Sequence, residues 1–219
     1  MPDLPAPNAT TKPMVAVDCD EVLAKFVPAL IKYHNAKYGT DITMEGFHSY
    51  RYCEVWGGND QEAVAKVYDF FETEYFKEQM ETISGALEVL QDLQDRFRFV
   101  VVTSRQNIIQ DATREWIEKF FPGIFEEVLF GNHWTKDSPN PDDWNETKRT
   151  KLEMCQSIGA ICLVDDSVTY AKQCAPFLKK VVLFGKYGWN TKDSDTSDLP
   201  ESVARADDWT EVGRILGEL

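Results

Sequence analysis

The stretch Met14-Val15-Ala16-Val17-Asp18-Cys19-Asp20-Glu21-Val22 constrains the fold more than any other part of the 219-residue chain. An unbroken apolar run ends on one carboxylate, and a second carboxylate follows two residues later. Such a run, with a proline-rich tail before it and acids after it, predicts a strand buried on both faces, as in a parallel sheet. In open α/β sheets ligands bind beyond the carboxyl ends of the strands, which puts Asp18 and Asp20 at the mouth of a site. Two carboxylates this close repel each other and cost desolvation unless something cationic joins them. Mg²⁺ answers that need, as a hard ion that takes carboxylates and then recruits phosphate. The competing reading is that Asp18 only ends a strand-to-loop turn.

Two later stretches repeat the pattern. Phe97 to Val102 is apolar and runs into Thr103-Ser104-Arg105, and Ala160 to Val164 runs into Asp165-Asp166-Ser167. Lys151 lies 14 residues before Asp165, at the start of a helical pattern. In this order the segments resemble the four motifs of the haloacid dehalogenase-like (HAD) hydrolase superfamily, over about residues 14 to 185. The DxDxV, TSR and DD forms, together with a helical insert, resemble more narrowly its C1-capped, 5′-nucleotidase-like phosphatases.

Read in order, residues 1–13 are proline-rich and polar and are expected to be a disordered leader. A helix over Phe26–Tyr38 with Gly39 at its end is followed by an irregular stretch to Gly58. Asn59 and Glu62 then have the spacing of a capping box before a second helix. In that helix an apolar face from Val64 to Phe76 is read as packing. A crossover between parallel strands needs only one helix, so residues 26–80 contain an insert. The resemblance makes it a C1-type cap over residues 26–80, with the core formed by 14–25 and 81–219.

Helices are further expected over 85–95, 107–121, 148–158, 168–174 and 209–219, and strands over 125–130 and 181–184. Residues 188–208 read as loop. The polar segment 131–147 is long for a loop and leaves a strand end, which would bring His133 and Trp134 near the substrate. Strands alternating with helices give an α/β fold class: a Rossmann-like parallel sheet flanked by helices, with a small all-helical cap inserted after the first strand.

Composition narrows the partners. A length of 219 residues allows one good core with a small insert or second lobe, and 43% hydrophobic residues exclude a disordered or fibrous chain. A net charge of −14 argues against nucleic-acid polymers and anionic membranes, so an anionic substrate needs a local cationic focus. Five cysteines without CxxC spacing suit reduced thiols rather than disulfides or zinc. No window has the length of a membrane span and the N-terminus has no apolar signal core, so a cytoplasmic location is expected.

The resemblance also implies roles. Asp18 would be the nucleophile, forming an aspartyl-phosphate, and Asp20 the general acid for the leaving group. Asp18, Asp20, Asp165 and Asp166 would hold Mg²⁺, Asp20 through its backbone carbonyl. Which of Asp165 and Asp166 ligates directly is open. Thr103, Ser104 and Lys151 would bind phosphate, with Lys148 and Arg149 as rivals to Lys151 and Arg105 within reach of phosphate or substrate. Tyr50, Arg51 and Trp56, in the irregular part of the insert, are the candidates for substrate contact. The expected activity is a Mg²⁺-dependent phosphomonoesterase acting on a small phosphorylated metabolite, with nucleoside monophosphates among the candidates. A phosphomutase and a non-catalytic Mg²⁺ or phospho-ligand binder are the alternatives.

Overall fold

The computed structural model describes residues 12–133, 147–191 and 196–219. β1 (Met14–Val17) is buried along its whole length because it lies inside a sheet of six parallel strands in the order β3-β2-β1-β4-β5-β6. Its neighbours are β2 (Arg98–Thr103) and β4 (Ala160–Asp165), with β3 (Phe125–Phe130) and β5 (Lys180–Phe184) outside them. The chain builds outward from β1 to β3, then returns to the other side of β1 for β4 to β6. That reversal leaves a crevice between β1 and β4 at the carboxyl ends of the strands.

Alternation along the strands serves two cores. Val15, Val17, Phe99, Val101 and Val164 face one side, against Leu90 of α5 (Ala86–Leu93), Trp116 of α6 (Gln110–Phe120) and Val212 of α9 (Trp209–Gly217). Met14, Ala16, Val100, Val102 and Leu163 face the other, against Met154 of α7 (Lys151–Ser157) and Cys174 of α8 (Val168–Cys174). Covered on both faces, the strands can be apolar throughout, as their sequences are. Trp209 is fully buried, and its indole donates to the Val22 carbonyl at 2.8 Å, so the last helix supports the acidic turn after β1.

Between β1 and β2 the chain leaves and returns at one place. Ala24 pairs antiparallel with Thr82, and the amides of Ile83 and Lys25 donate to Leu23 and Glu81 at 2.7 and 2.8 Å. The intervening residues form α1 (Phe26–Tyr38), α2 (Cys53–Trp56), α3 (Asp60–Phe71) and α4 (Glu74–Lys77). α1 stops where Gly39 turns left-handed (φ 66°), and Asn59 and Glu62 form the capping box that starts α3. Phe26, Phe70, Phe71 and Phe76 pack together with ring centroids 5.1–6.5 Å apart. Val67, Tyr68 and Phe71 pack as the sequence pattern expects and also line a cavity, while Val64, read in sequence as part of the same packed face, lines that cavity.

Three other expectations change. The helix expected from residue 148 begins at Lys151, because Thr150 and Glu153 form a capping box there. The loop expected over 188–208 contains a sixth strand, β6 (Val203–Ala206), paired with β5. The helix expected from residue 107 opens with a 3₁₀ turn, Asn107–Ile109. Most of the leader and of the 131–147 segment, including Trp134, lies outside the described residues. Among the described residues no helix is long and apolar enough to cross a membrane.

Candidate active site

β1 runs into Asp18, β2 ends on Thr103, and β4 ends on Asp165 with Asp166 next. Because these strands are neighbours, their ends converge at the switch point of the sheet. Asp18, Asp165 and Asp166 are buried and each offers an oxygen within 4.8 Å of the others. The Asp18 carboxylate is further fixed by the Cys19 amide, which donates to Oδ1 at 2.7 Å.

Lys151 enters the cluster from the first turn of α7. It is fully buried, with Nζ 2.5 Å from Asp18 Oδ1, 2.9 Å from Asp165 Oδ2 and 2.8 Å from the Val102 carbonyl that it donates to. Lys148 is exposed, so of the two lysines the geometry brings Lys151 to the acids. Gly131 helps bring it there. Its amide donates to Thr103 O at 2.7 Å while its carbonyl accepts from Arg149 at 2.9 Å. A Cβ on Gly131 would sit 2.8 Å from the Arg149 carbonyl, which only glycine avoids.

Asp20 does not join the three acids through its side chain. Its carboxylate is gripped by Arg105, whose Nη2 lies 2.6 Å from Oδ1. Arg105 is thus turned to an acid rather than held free for phosphate. Thr103 is buried, and its hydroxyl accepts from the Arg105 amide at 3.2 Å. Ser104 donates to the Tyr170 hydroxyl at 3.0 Å, and His133 Nδ1 lies 3.1 Å from the same hydroxyl.

Several neighbours were not singled out from sequence. Asp166 Oδ2 accepts from the Tyr50 hydroxyl and, at 2.7 Å, from the Trp189 indole, while Asn190 donates to its carbonyl at 2.9 Å. Trp189 stacks on Tyr187, with centroids 4.7 Å apart, and the Tyr187 hydroxyl donates to Glu21 O at 2.8 Å. Glu21 occupies a left-handed backbone conformation (φ 56°). That turn aims its carboxylate at the start of α1, where Oε1 accepts from the Val27 amide at 2.7 Å. No side chain at the N-cap of α1 makes that bond, so Glu21 caps the helix from the acidic turn.

The charges do not balance. Asp18, Asp20, Glu21, Asp165 and Asp166 face Lys151 and Arg105. Burial pushes the Asp18 carboxyl up from 3.8 to about 7 despite the Lys151 ammonium, with Asp165 and Asp20 adding to the effect. Burial, then Asp165 and Asp18, raise Asp166 well above the usual carboxylate range. Burial and Asp20 do the same to Glu21, whose Oε2 is buried without a hydrogen-bond partner among the described residues. Burial alone would lower Lys151, yet Asp165 and Asp18 hold it above its ordinary value. A hard divalent cation fits such a donor set, because it would bind the carboxylate oxygens and cancel the surplus.

Above the acids opens a cavity of about 400 Å³, lined on one side by Asp18, Asp20, Ser104 and Asp166. Its other wall comes from the insert: Tyr50, Tyr52, Val64, Val67, Tyr68 and Phe71. Gln106 also lines it. Of the three contact candidates read from sequence, Tyr50 alone reaches the cavity. Trp56 stacks on His34 with centroids 4.5 Å apart and packs against Phe47 and Tyr52. Arg51 is exposed and pairs with Glu54 and Asp60 at 3.0 and 2.8 Å.

Residues 12–171 match the family described as 5′ nucleotidase, deoxy (Pyrimidine), cytosolic type C protein. Solved structures of the same fold include a predicted phosphatase from Clostridium acetobutylicum, with TM-score 0.65 at 14% identity, covering 95% of this chain and 99% of that one. A haloacid dehalogenase-like family hydrolase from Streptococcus pneumoniae superposes with TM-score 0.64 at 11% identity, covering 94% and 98%. A predicted phosphoglycolate phosphatase from Haemophilus somnus gives 0.58 at 16% identity, covering 95% and 100%. No curated protein sequence matches the chain.

Proposed function

Because the chain belongs to the 5′ nucleotidase, deoxy (pyrimidine), cytosolic type C family, we propose that this phosphatase is a Mg²⁺-dependent phosphomonoesterase releasing phosphate from a nucleoside monophosphate. One observation carries the reading: a single cavity of about 400 Å³ joins the acids to an aromatic wall from the insert. The acidic end suits a phosphate with its counter-ion, and the rings suit a flat heterocycle. Residues 26–80 then act as a cap that chooses the substrate and excludes water.

Asp18, Asp165 and Asp166 would hold Mg²⁺, which when bound supplies the positive charge that phosphate oxygens need at an acidic site. Lys151 supplies a second, fixed positive charge, and the Thr103 and Ser104 hydroxyls would bond the phosphate oxygens, Ser104 by turning its proton away from the Tyr170 hydroxyl. Held by Lys151 and the Cys19 amide, Asp18 presents a carboxylate oxygen in line with the scissile bond. It attacks phosphorus, the bond to the ester oxygen breaks, and that oxygen leaves with the electron pair. The Asp20 carboxyl gives it a proton, releasing the nucleoside. Water then attacks the aspartyl-phosphate, losing its proton to Asp20. The Asp18 carboxylate departs and inorganic phosphate is freed.

Stacking on an aromatic ring contributes roughly 1–3 kcal/mol per base in single-strand binders. Tyr52 has no side-chain hydrogen bond to another described residue, nor has the Gln106 amide, which leaves both polar ends for the base. The test is phosphate release from nucleoside monophosphates, sugar phosphates and an aryl phosphate, each with Mg²⁺ and with EDTA. Mg²⁺-dependent turnover that favours nucleotides over sugar phosphates, and a rise in nucleotide KM of roughly 5- to 150-fold in Tyr52→Ala, support the reading. Equal kcat/KM on nucleotides and sugar phosphates refutes the nucleotide assignment, and release undiminished by EDTA refutes the metal.

A further inference from the structure

Arg105 has no part in the steps above, yet it is almost wholly buried and its guanidinium is held on every side. Nε lies 3.1 Å from both carboxylate oxygens of Asp20, and Nη2 lies 2.6 Å from Oδ1. Nη1 donates to the Thr113 hydroxyl at 3.0 Å, and that hydroxyl donates to the Ile109 carbonyl at 2.8 Å, which anchors the group to α6. The Phe26 and Phe76 rings lie 5.7 and 5.4 Å away, and Met80 Sδ is 3.5 Å from Nη2. These three come from α1, from α4 and from the segment that returns to the core. Met80 is itself tied to α6, since its carbonyl accepts from the Trp116 indole at 3.0 Å.

A planar fork bound edge-on to a carboxylate fixes the direction of that carboxylate, which a point-charge ammonium would not do. Asp20 otherwise stands on a short turn with its side chain partly open to the cavity. Its orientation is therefore set by Arg105. The orientation of Arg105 is set in turn by α6 on one side and by the insert on the other.

We infer that Arg105 is a positioning residue for Asp20, aiming the carboxyl group at the leaving oxygen only while α1 and α4 are packed on the core. The inference rests on the reading of Asp20 as proton donor. It links the acid step to the seating of the cap, so a displaced insert would misdirect the donor without disturbing Asp18.

The experiment compares Arg105→Gln, Arg105→Lys, Asp20→Asn and the double variant Asp20→Asn/Arg105→Gln. Each is assayed on a nucleoside monophosphate, whose alkoxide needs a proton, and on p-nitrophenyl phosphate, whose leaving group needs little. Arg105→Gln is expected to lower kcat on the nucleotide by about 10²-fold and on the aryl ester by less than about fivefold. Asp20→Asn should show the same split, and the double variant should be no slower than Asp20→Asn because both changes remove one function. Arg105→Lys keeps the charge but not the fork, so it should show the split in milder form. It carries the test if thermal melts show that Arg105→Gln fails to fold.

Equal losses on both substrates in the Arg105 variants would overturn the assignment, as would a double variant slowed further by the full Arg105 factor. If Asp20→Asn itself slows both substrates equally, Asp20 is not the donor. That result refutes the reading of the site, and the role of Arg105 with it, before any Arg105 variant is compared.

Discussion

Raising the pH should weaken the metal-free protein through the acids of its site, and Asp18 gives the size of the effect. Burial holds its carboxyl at about 7 in the folded chain against an ordinary 3.8. Between those values the folded state keeps a proton that the unfolded chain has released, so stability falls as the pH climbs through the interval. A gap of roughly three pH units corresponds to about 4 kcal/mol. For a chain of this size that is about 8–16 °C in melting temperature. Asp166 and Glu21, also raised by burial, act in the same direction. The assay is thermal unfolding in EDTA from about pH 4 to about pH 8, wild type against Asp18→Asn, whose amide does not titrate. The wild type should lose stability across the range, and Asp18→Asn should lose less and exceed the wild type at the alkaline end. Excess Mg²⁺ should flatten the wild-type slope by binding the ionised acids. Identical slopes for the two proteins, or a slope indifferent to Mg²⁺, would refute the reasoning.

Lys151→Met should cost about 3–5 kcal/mol in denaturant titrations and abolish phosphate release, because it strips the buried acids of their ammonium; a loss under about 1 kcal/mol would contradict that. Trp56→Ala should destabilise by about 3 kcal/mol while leaving the nucleotide KM unchanged, since Trp56 packs against His34, Phe47 and Tyr52. A raised KM at full stability would put Trp56 in the cavity instead. Ca²⁺, larger and richer in oxygen ligands, should bind in place of Mg²⁺ and inhibit turnover. Turnover with Ca²⁺ equal to that with Mg²⁺ would count against the acid cluster as a Mg²⁺ site.

The sheet and the acids were legible because buried parallel strands leave plain apolar runs and their ends carry the charges. Asp18, Thr103, Lys151, Asp165 and Asp166 all stand at such ends or at a helix start. The Lys148 and Lys151 rivalry was decidable in principle, since Thr150 and Glu153 have capping-box spacing and fix where α7 begins. Tyr50 and Trp56 were not separable, because the irregular stretch between Thr40 and Gly58 has no period from which to read facing. Tyr187, Trp189 and Asn190 reach Glu21 and Asp166 from a loop, and contacts made across the fold leave no trace in local pattern. β6 carries no local signal for a related reason. It is a four-residue edge strand, VARA, with an arginine in its middle, and it gains its order by pairing with β5. The grip of Arg105 on Asp20 joins residues 85 apart in sequence and could be seen only in the fold.

Transfer of the phosphoryl group to Asp18 is tested most directly by trapping the phosphorylated species. Enzyme turning over a phosphate-labelled nucleoside monophosphate is quenched in acid, digested and mapped by mass spectrometry. The expected result is acid-stable, hydroxylamine-labile phosphate on the peptide carrying Asp18, absent from Asp18→Asn. Covalent phosphate on any other residue, or Asp18→Asn retaining turnover within about tenfold of wild type, a barrier change of only about 1.4 kcal/mol, would contradict it.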